Sequence, residues 1–89
     1  MSPSSFTFKL TVPNDPEGVI VVAAVAAHAV EYAQLDAAAG AAFVERVRAV
    51  ARQALQSATG HNCLAEFAAA DGQLTVTIGD ESASHPLPA

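Results

Sequence analysis

The sequence has few basic residues, few aromatic residues and one cysteine. Four Lys and Arg residues stand against nine Asp and Glu residues in 89 positions, which gives a formal net charge of −5. A nucleic-acid site needs a basic face that releases counterions, and an anionic membrane attracts the same kind of face. The composition therefore argues against nucleic acid, anionic membranes and acidic partners.

The single Cys63 rules out an internal disulfide and fits a reducing compartment. No apolar core follows the first basic residue, Lys9, at the distance typical of a secretory signal. Residues 19–27 are uninterrupted and apolar, but they fall short of the roughly 20 residues that a membrane span requires. We therefore expect a cytoplasmic protein without a membrane span.

Alanine supplies 21 of the 89 residues and much of the 52% apolar fraction. A chain of this length makes one domain, residues 1–89, with an ordered core over about residues 5–80 between a flexible leader and a flexible tail. Alanine packs helices closely but contributes less burial energy than Leu or Phe. This composition favours close-packed helices and the involvement of a partner.

Apolar and polar residues alternate from Phe6 to Val12, which predicts a strand that Pro13 ends. Asp15 is placed to cap a helix running to about Gln34. Few polar residues interrupt this helix, so its apolar stripe is wider than a surface helix needs. We expect the helix to be covered on both sides, either within the domain or by a second copy.

A second helix is predicted to begin after Asp36 and to end at Gly60. Two alternating strands follow, joined by Asp71-Gly72, a dipeptide that favours a tight hairpin with positive φ at both central residues. The inward positions of these strands are predicted to be Cys63, Ala65, Phe67, Leu74, Val76 and Ile78.

These elements predict an α+β fold, a two-layer sandwich with the order strand-helix-helix-strand-strand. A three-stranded sheet is covered on one face by two helices, and the residues from Glu81 onwards form a polar tail. The second strand is expected to run antiparallel to the first, while the order of the strands stays open. The two open sheet edges and the alanine-rich helix are candidate dimer surfaces.

The segments FKLTVPNDPEG, VARQALQSATGH and LTVTIGDES occur in this order between residues 8 and 82. They resemble the first half of the anti-sigma-factor serine kinases of the GHKL ATPase superfamily. The resemblance implies an ATP and magnesium site, in which the second helix carries Glu, then Asn, and often His at spacings of four. Those positions hold Gln53, Ser57 and His61 here, and Asp80 matches the aspartate that contacts adenine in the family.

This chain departs from the family at the positions that activate the nucleophile, anchor the metal and bind the nucleotide. Gln53 cannot act as a general base, Ser57 anchors metal more weakly than an amide, and Ser82 and Ser84 replace two glycines of the nucleotide box. The lid that follows this box in the family has no counterpart, so we expect neither tight ATP binding nor phosphoryl transfer.

The sequence thus predicts a non-catalytic protein-interaction or regulatory module without a cofactor, as a homodimer or with a regulatory protein partner. The alternative is an adenine-nucleotide-binding protein or weak serine kinase that uses ATP with magnesium through Gln53, Ser57 and Asp80. A third interpretation is an unrelated small α+β domain.

Two smaller clusters are open to a functional interpretation. His61 and Cys63 are two residues apart, but a zinc site needs three or four ligands, so no metal site is predicted. Arg46, Arg48 and Arg52 form either a contact for an anion or acidic partner, or a solvated helix face.

Overall fold

The computed structural model describes residues 5–57, 60 and 62–87. Within these residues the chain forms two helices and a four-stranded antiparallel sheet whose spatial order is the order along the chain, which confirms the predicted α+β class. The elements are β1 (Phe6–Pro13), α1 (Pro16–Tyr32), α2 (Ala37–Ser57), β2 (Asn62–Ala70), β3 (Gln73–Ile78) and β4 (Glu81–Pro86).

The predicted three-stranded sheet is wrong by one strand. Residues 81–86, predicted as a polar tail, form the edge strand β4, in which Ala83 lies opposite Val76 and His85 opposite Leu74. The inward positions of β4 carry no large apolar side chain, so the alternation that reveals a strand is missing from the sequence. β4 forms because its backbone pairs with β3, although its sequence lacks this alternation.

Helix α2 holds β4 in place. The guanidinium of Arg46 donates a hydrogen bond to the carbonyl oxygen of Ser84 at 2.6 Å, and the rings of Phe43 and His85 meet edge to face with centroids 6.1 Å apart. His85, which has no role in the sequence-based prediction, therefore packs against the helical layer. A strand that lacks an apolar face is thus secured by contacts from outside the sheet.

Both helices cover one face of the sheet, with α1 against β1 and β2 and α2 against β3 and β4. The core between the layers is built from few large side chains, because many positions facing it are alanine. The largest fully buried side chains are Phe43, Phe67, Leu74, Ile78, Val12, Val22, Val47 and Val76.

The predicted helix caps are confirmed. The Asp15 carboxylate accepts hydrogen bonds from the backbone N–H groups of Glu17 and Gly18, at 2.9 and 3.3 Å. The Asp36 carboxylate accepts one from the N–H of Ala39 at 2.8 Å. Each acid satisfies donors that a helix start leaves without an intrahelical partner.

Helix α1 ends at Tyr32, two residues before its predicted end. Gln34 has a φ of 64°, and the N–H groups of Gln34 and Leu35 donate to the carbonyls of Glu31 and Val30 at 3.0 and 3.1 Å. This is a Schellman motif, in which the left-handed position is usually glycine. Glutamine gives no sequence signal for that conformation, so the prediction ran past it.

The predicted hairpin turn is confirmed by positive φ at both central residues, 55° at Asp71 and 78° at Gly72. The second helix was predicted to end at Gly60, but α2 ends at Ser57, and Gly60, with a φ of 95°, lies three residues beyond it. Residues 58, 59 and 61, and with them His61, lie outside the described part of the chain.

Glycines allow α1 to approach its neighbours closely. A Cβ at Gly18 would overlap the carbonyl oxygen of Pro13, while one at Gly40 would lie 3.3 Å from a methyl of Val30. Gly18 also faces Leu55 of α2, so the start of α1 lies beside the end of α2, and the two helices form an antiparallel pair. This pair is the layer on which the candidate site lies.

Candidate functional site

The predicted nucleotide residues lie at one end of the molecule. Gln53 is exposed near the end of α2, and Ser57 is the last residue of that helix. Phe43 lies beside His85 and Arg46 beside Ser84, so α2 runs antiparallel to β4, and its second half points towards the turn that holds Asp80. These residues lie towards one end of the fold, and neither Gln53 nor Asp80 lines the helix groove described below.

Asp80 occupies an exposed two-residue turn between β3 and β4. Gly79, the first residue of the turn, has a φ of 58°, and its N–H donates to the carbonyl of Leu64 at 3.3 Å. Positive φ at the first central residue is the pattern of a type II′ hairpin turn. In this place Asp80 acts as a turn residue that lets β4 form.

A groove runs along the side of the helix pair that faces away from the sheet. We call it the helix groove, and its larger section has a volume of about 930 Å³. Side chains of both helices form an apolar floor, and polar groups stand at the rim. The floor contains Val19, Ala23 and Ala27 of α1 and Val44 and Leu55 of α2.

The helix groove continues towards the loop between the helices as a second section of about 580 Å³. Ala27 and Val44 line both sections, so the groove extends along most of α1. Gly40, Ala41 and Leu35 line the second section. The groove is open because small residues occupy positions at which a larger side chain would fill the space between the helices.

One large apolar side chain projects beside the groove. Ile20 is 68% exposed, and next to it Ala24 and Ala27 are also exposed. Ile20, the adjoining alanines and the floor of the groove together form an exposed apolar surface on the helical layer. The wide apolar stripe predicted for α1 is its sequence signal, although the sequence does not show which part of the stripe stays uncovered.

Charge is distributed unevenly along the rim. Arg48 and Arg52 line the larger section, and Arg48 pairs with Glu45 at 2.7 Å. That ion pair is largely exposed and contributes little to stability. Arg52 makes no ion pair with any residue in the described part of the chain. Glu31, Asp36 and Glu45 line the other section, while Asp15 is the one acid beside the two arginines in the larger section, so one end of the groove is more basic and the other is acidic.

The three clustered arginines thus have different environments. Arg46 binds the backbone of β4, and its guanidinium carbon lies 5.6 Å from the centre of the Phe43 ring. Arg48 lies on the groove rim with a local acidic partner, and Arg52 stands there without one among the described residues. Arg52 is therefore the member of the cluster that is available for an external carboxylate.

The other face of the sheet is largely polar. Lys9, Glu66 and Thr77 lie in one row across the strands, and Thr7, Ala68 and Thr75 in the next. These rows alternate with the predicted inward positions, and Leu64, 51% exposed, is an apolar residue on this outward face. No group of three or more metal-binding side chains forms among the described residues.

A second exposed apolar cluster lies at the β1 edge on the helical side. Phe8 stacks on Phe67 with ring centroids 5.0 Å apart, and Phe6 meets Tyr32 edge to face at 5.3 Å. Tyr32 is 66% exposed and Phe8 40%. The exposed rings therefore pack on one another and on Phe67, which is fully buried in the core.

No protein-family model matches this chain, and no curated protein matches it. The kinase-like resemblance of the three sequence segments therefore stays a prediction. Among the described residues, no helix is both long enough and apolar enough to cross a lipid bilayer.

Proposed function

We propose that this chain is a non-catalytic protein-interaction module that acts in regulation and associates with itself through its helical layer. The observation that carries the proposal is the helix groove, an apolar channel of about 930 Å³ in its larger section, open along the outer side of α1 and α2. A small domain gains stability and specificity when such a surface is covered by protein.

The substitutions at the predicted nucleotide site support a non-catalytic role. Gln53 replaces the acid that would activate a nucleophile, and Asp80 stands in an exposed hairpin turn. In this proposal the kinase-like layout is kept as a scaffold for binding protein, and the protein works in the cytoplasm without ATP or another cofactor.

Self-association is tested by sedimentation equilibrium of the full chain over a dilution series. We expect a species of twice the 9.0 kDa chain mass to appear as the concentration rises into the high micromolar range. A constant monomer mass up to that concentration would overturn the self-association part of the proposal.

The non-catalytic part is tested by calorimetric titration with Mg-ATP and Mg-ADP, on the unmodified chain and on Asp80→Ala. We expect no binding heat from either protein. Micromolar binding that disappears in Asp80→Ala would overturn the proposal and would favour the nucleotide-binding alternative. Glu66→Ala, which removes an acid from the outward face of the sheet, serves as the matched control.

A further inference from the structure

We infer that two copies of this chain pair through α1 in antiparallel orientation, with the carboxylate of Glu31 in each copy reaching Arg52 of the other. This inference rests on the proposed function and specifies its surface. The two-fold axis passes between Ala23 and Ala24, and each Ile20 enters the larger section of the opposite helix groove.

The shape of the α1 surface is complementary to itself. Ile20 is a projecting apolar side chain, 68% exposed, and the floor of the groove beside it includes the small residues Ala23 and Ala27. About an axis between Ala23 and Ala24, Ile20 of one copy faces Ala27 of the other, because the two positions are equally far from the axis. A large side chain then meets a small one at both symmetry-related contacts, as an isologous interface requires.

The charges of the rim are complementary under the same symmetry. Arg52 lines the section beside Pro16, at the start of α1, while Glu31 lines the section at the opposite end of the helix. The antiparallel arrangement brings Glu31 of one copy opposite Pro16 of the other, within the reach of an extended arginine at Arg52. A parallel pairing would instead place the acidic ends together.

The net charge of −5 is divided between the groove and the rest of the molecule. Arg48 and Arg52 line the groove together with four acids, Asp15, Glu31, Asp36 and Glu45, so the groove is net negative. Asp15 and Asp36 accept hydrogen bonds from helix N–H groups, and Glu45 pairs with Arg48. Glu31 and Arg52 are therefore the groove charges without such a partner among the described residues.

The available area indicates a weak dimer. A helix of 17 residues is about 25 Å long, and two adjacent helices are about 20 Å wide, so the face covers roughly 500 Å² in projection. This is at the small end of specific interfaces, which bury about 800 Å² per partner in the standard case. We therefore expect association in the micromolar range or weaker, and an appreciable share of the specificity from the two charge pairs.

Charge exchange tests the pairing. Glu31→Arg places two arginines together at each contact, and Arg52→Glu places two glutamates there. Each variant alone should self-associate at least about tenfold more weakly, because the dimer contains two such contacts and an attraction becomes a repulsion at both. An equimolar mixture of the two variants restores opposite charges at both contacts, so we expect association to return.

Sedimentation equilibrium of each variant and of the mixture distinguishes the outcomes. Both residues are exposed, and unchanged circular dichroism spectra would confirm that the variants fold. Single variants that dimerise like the unmodified chain would overturn this inference while leaving the proposed self-association intact. Weakened variants whose mixture stays weak would overturn the Glu31–Arg52 pairing. An unmodified chain that stays monomeric would overturn the proposed function and this inference together.

A cross-link provides an independent measurement. Ala24→Cys places a thiol next to the proposed axis, and Thr75→Cys places one on the opposite sheet face as the matched control. Mild oxidation should give a disulfide-linked dimer of Ala24→Cys and none of Thr75→Cys, while the native Cys63 is buried. Equal cross-linking of the two variants, or none in Ala24→Cys, would contradict the α1 interface.

Discussion

Single backbone positions decide how closely α1 packs in this protein. Gly18 lies where any side chain would overlap the carbonyl oxygen of Pro13. Gly18→Ala should therefore displace the start of α1 and destabilise the fold by about 2 kcal/mol, within the range for overpacked sites. Thermal and urea unfolding measure this loss.

Gly40→Ala is the matched control for this substitution. The added methyl would lie 3.3 Å from Val30, a side-chain contact that a small shift relieves, and alanine favours the helix by up to about 1 kcal/mol. We expect little net change in the free energy of unfolding. If Gly18→Ala and Gly40→Ala lowered the free energy of unfolding equally, the close approach of Gly18 to Pro13 would have no special role.

Gln34 gives a residue-scale prediction of the opposite sign. Its φ of 64° is left-handed, a conformation that disfavours residues with a Cβ. Gln34→Gly should stabilise the protein by up to about 1 kcal/mol, because relief of this strain outweighs the added entropy of the unfolded chain. Gln56→Gly, at an exposed position within α2, should destabilise it, and a rise in thermal stability for Gln34→Gly alone would confirm the motif.

At the scale of elements, the sequence predicts those whose apolar periodicity is strong. The strands containing Phe67 and Val76 were predicted correctly, and so was the antiparallel relation of the first two strands. β4 was missed because His85 and Ala83 carry no recognisable apolar pattern. The helix groove was also beyond prediction, because it depends on how α1 and α2 are placed against each other.

The role of β4 as a packed strand can be tested at its centre. Ala83 is 8% exposed and lies beside Val76 on the face of the sheet that the helices cover. Ala83→Glu would bury a carboxylate without a partner and should cost at least about 3 kcal/mol or prevent folding. Ser82→Glu, on the solvent side of the same strand, should change stability by less than about 0.5 kcal/mol.

Circular dichroism with urea unfolding measures both β4 variants. If residues 81–86 behaved as the polar tail first predicted, the two substitutions would have equally small effects. If β4 forms as in the structure, only Ala83→Glu, at the inward position, lowers the free energy of unfolding. The pair of variants thus separates a strand from a tail even if Ala83→Glu does not fold, because Ser82→Glu keeps a native spectrum in either case.

For the whole molecule, self-association and stability are coupled by mass action. If the folded chain dimerises through the helix groove, its midpoint of thermal unfolding should rise with protein concentration. Ile20→Glu should remove this dependence, because a charge at the centre of the contact would lose its hydration without a partner. Since Ile20 is 68% exposed, the same change should leave the monomer folded.

Thr75→Glu is the control, because it introduces the same charge on the opposite face of the molecule. It should keep the concentration dependence of the unmodified chain. Scanning calorimetry at two concentrations a hundredfold apart measures all three proteins. A midpoint that rises equally in Ile20→Glu and Thr75→Glu would place the self-association outside the helix groove. A rise confined to the unmodified chain and Thr75→Glu would assign that stabilisation to the apolar contact made by α1.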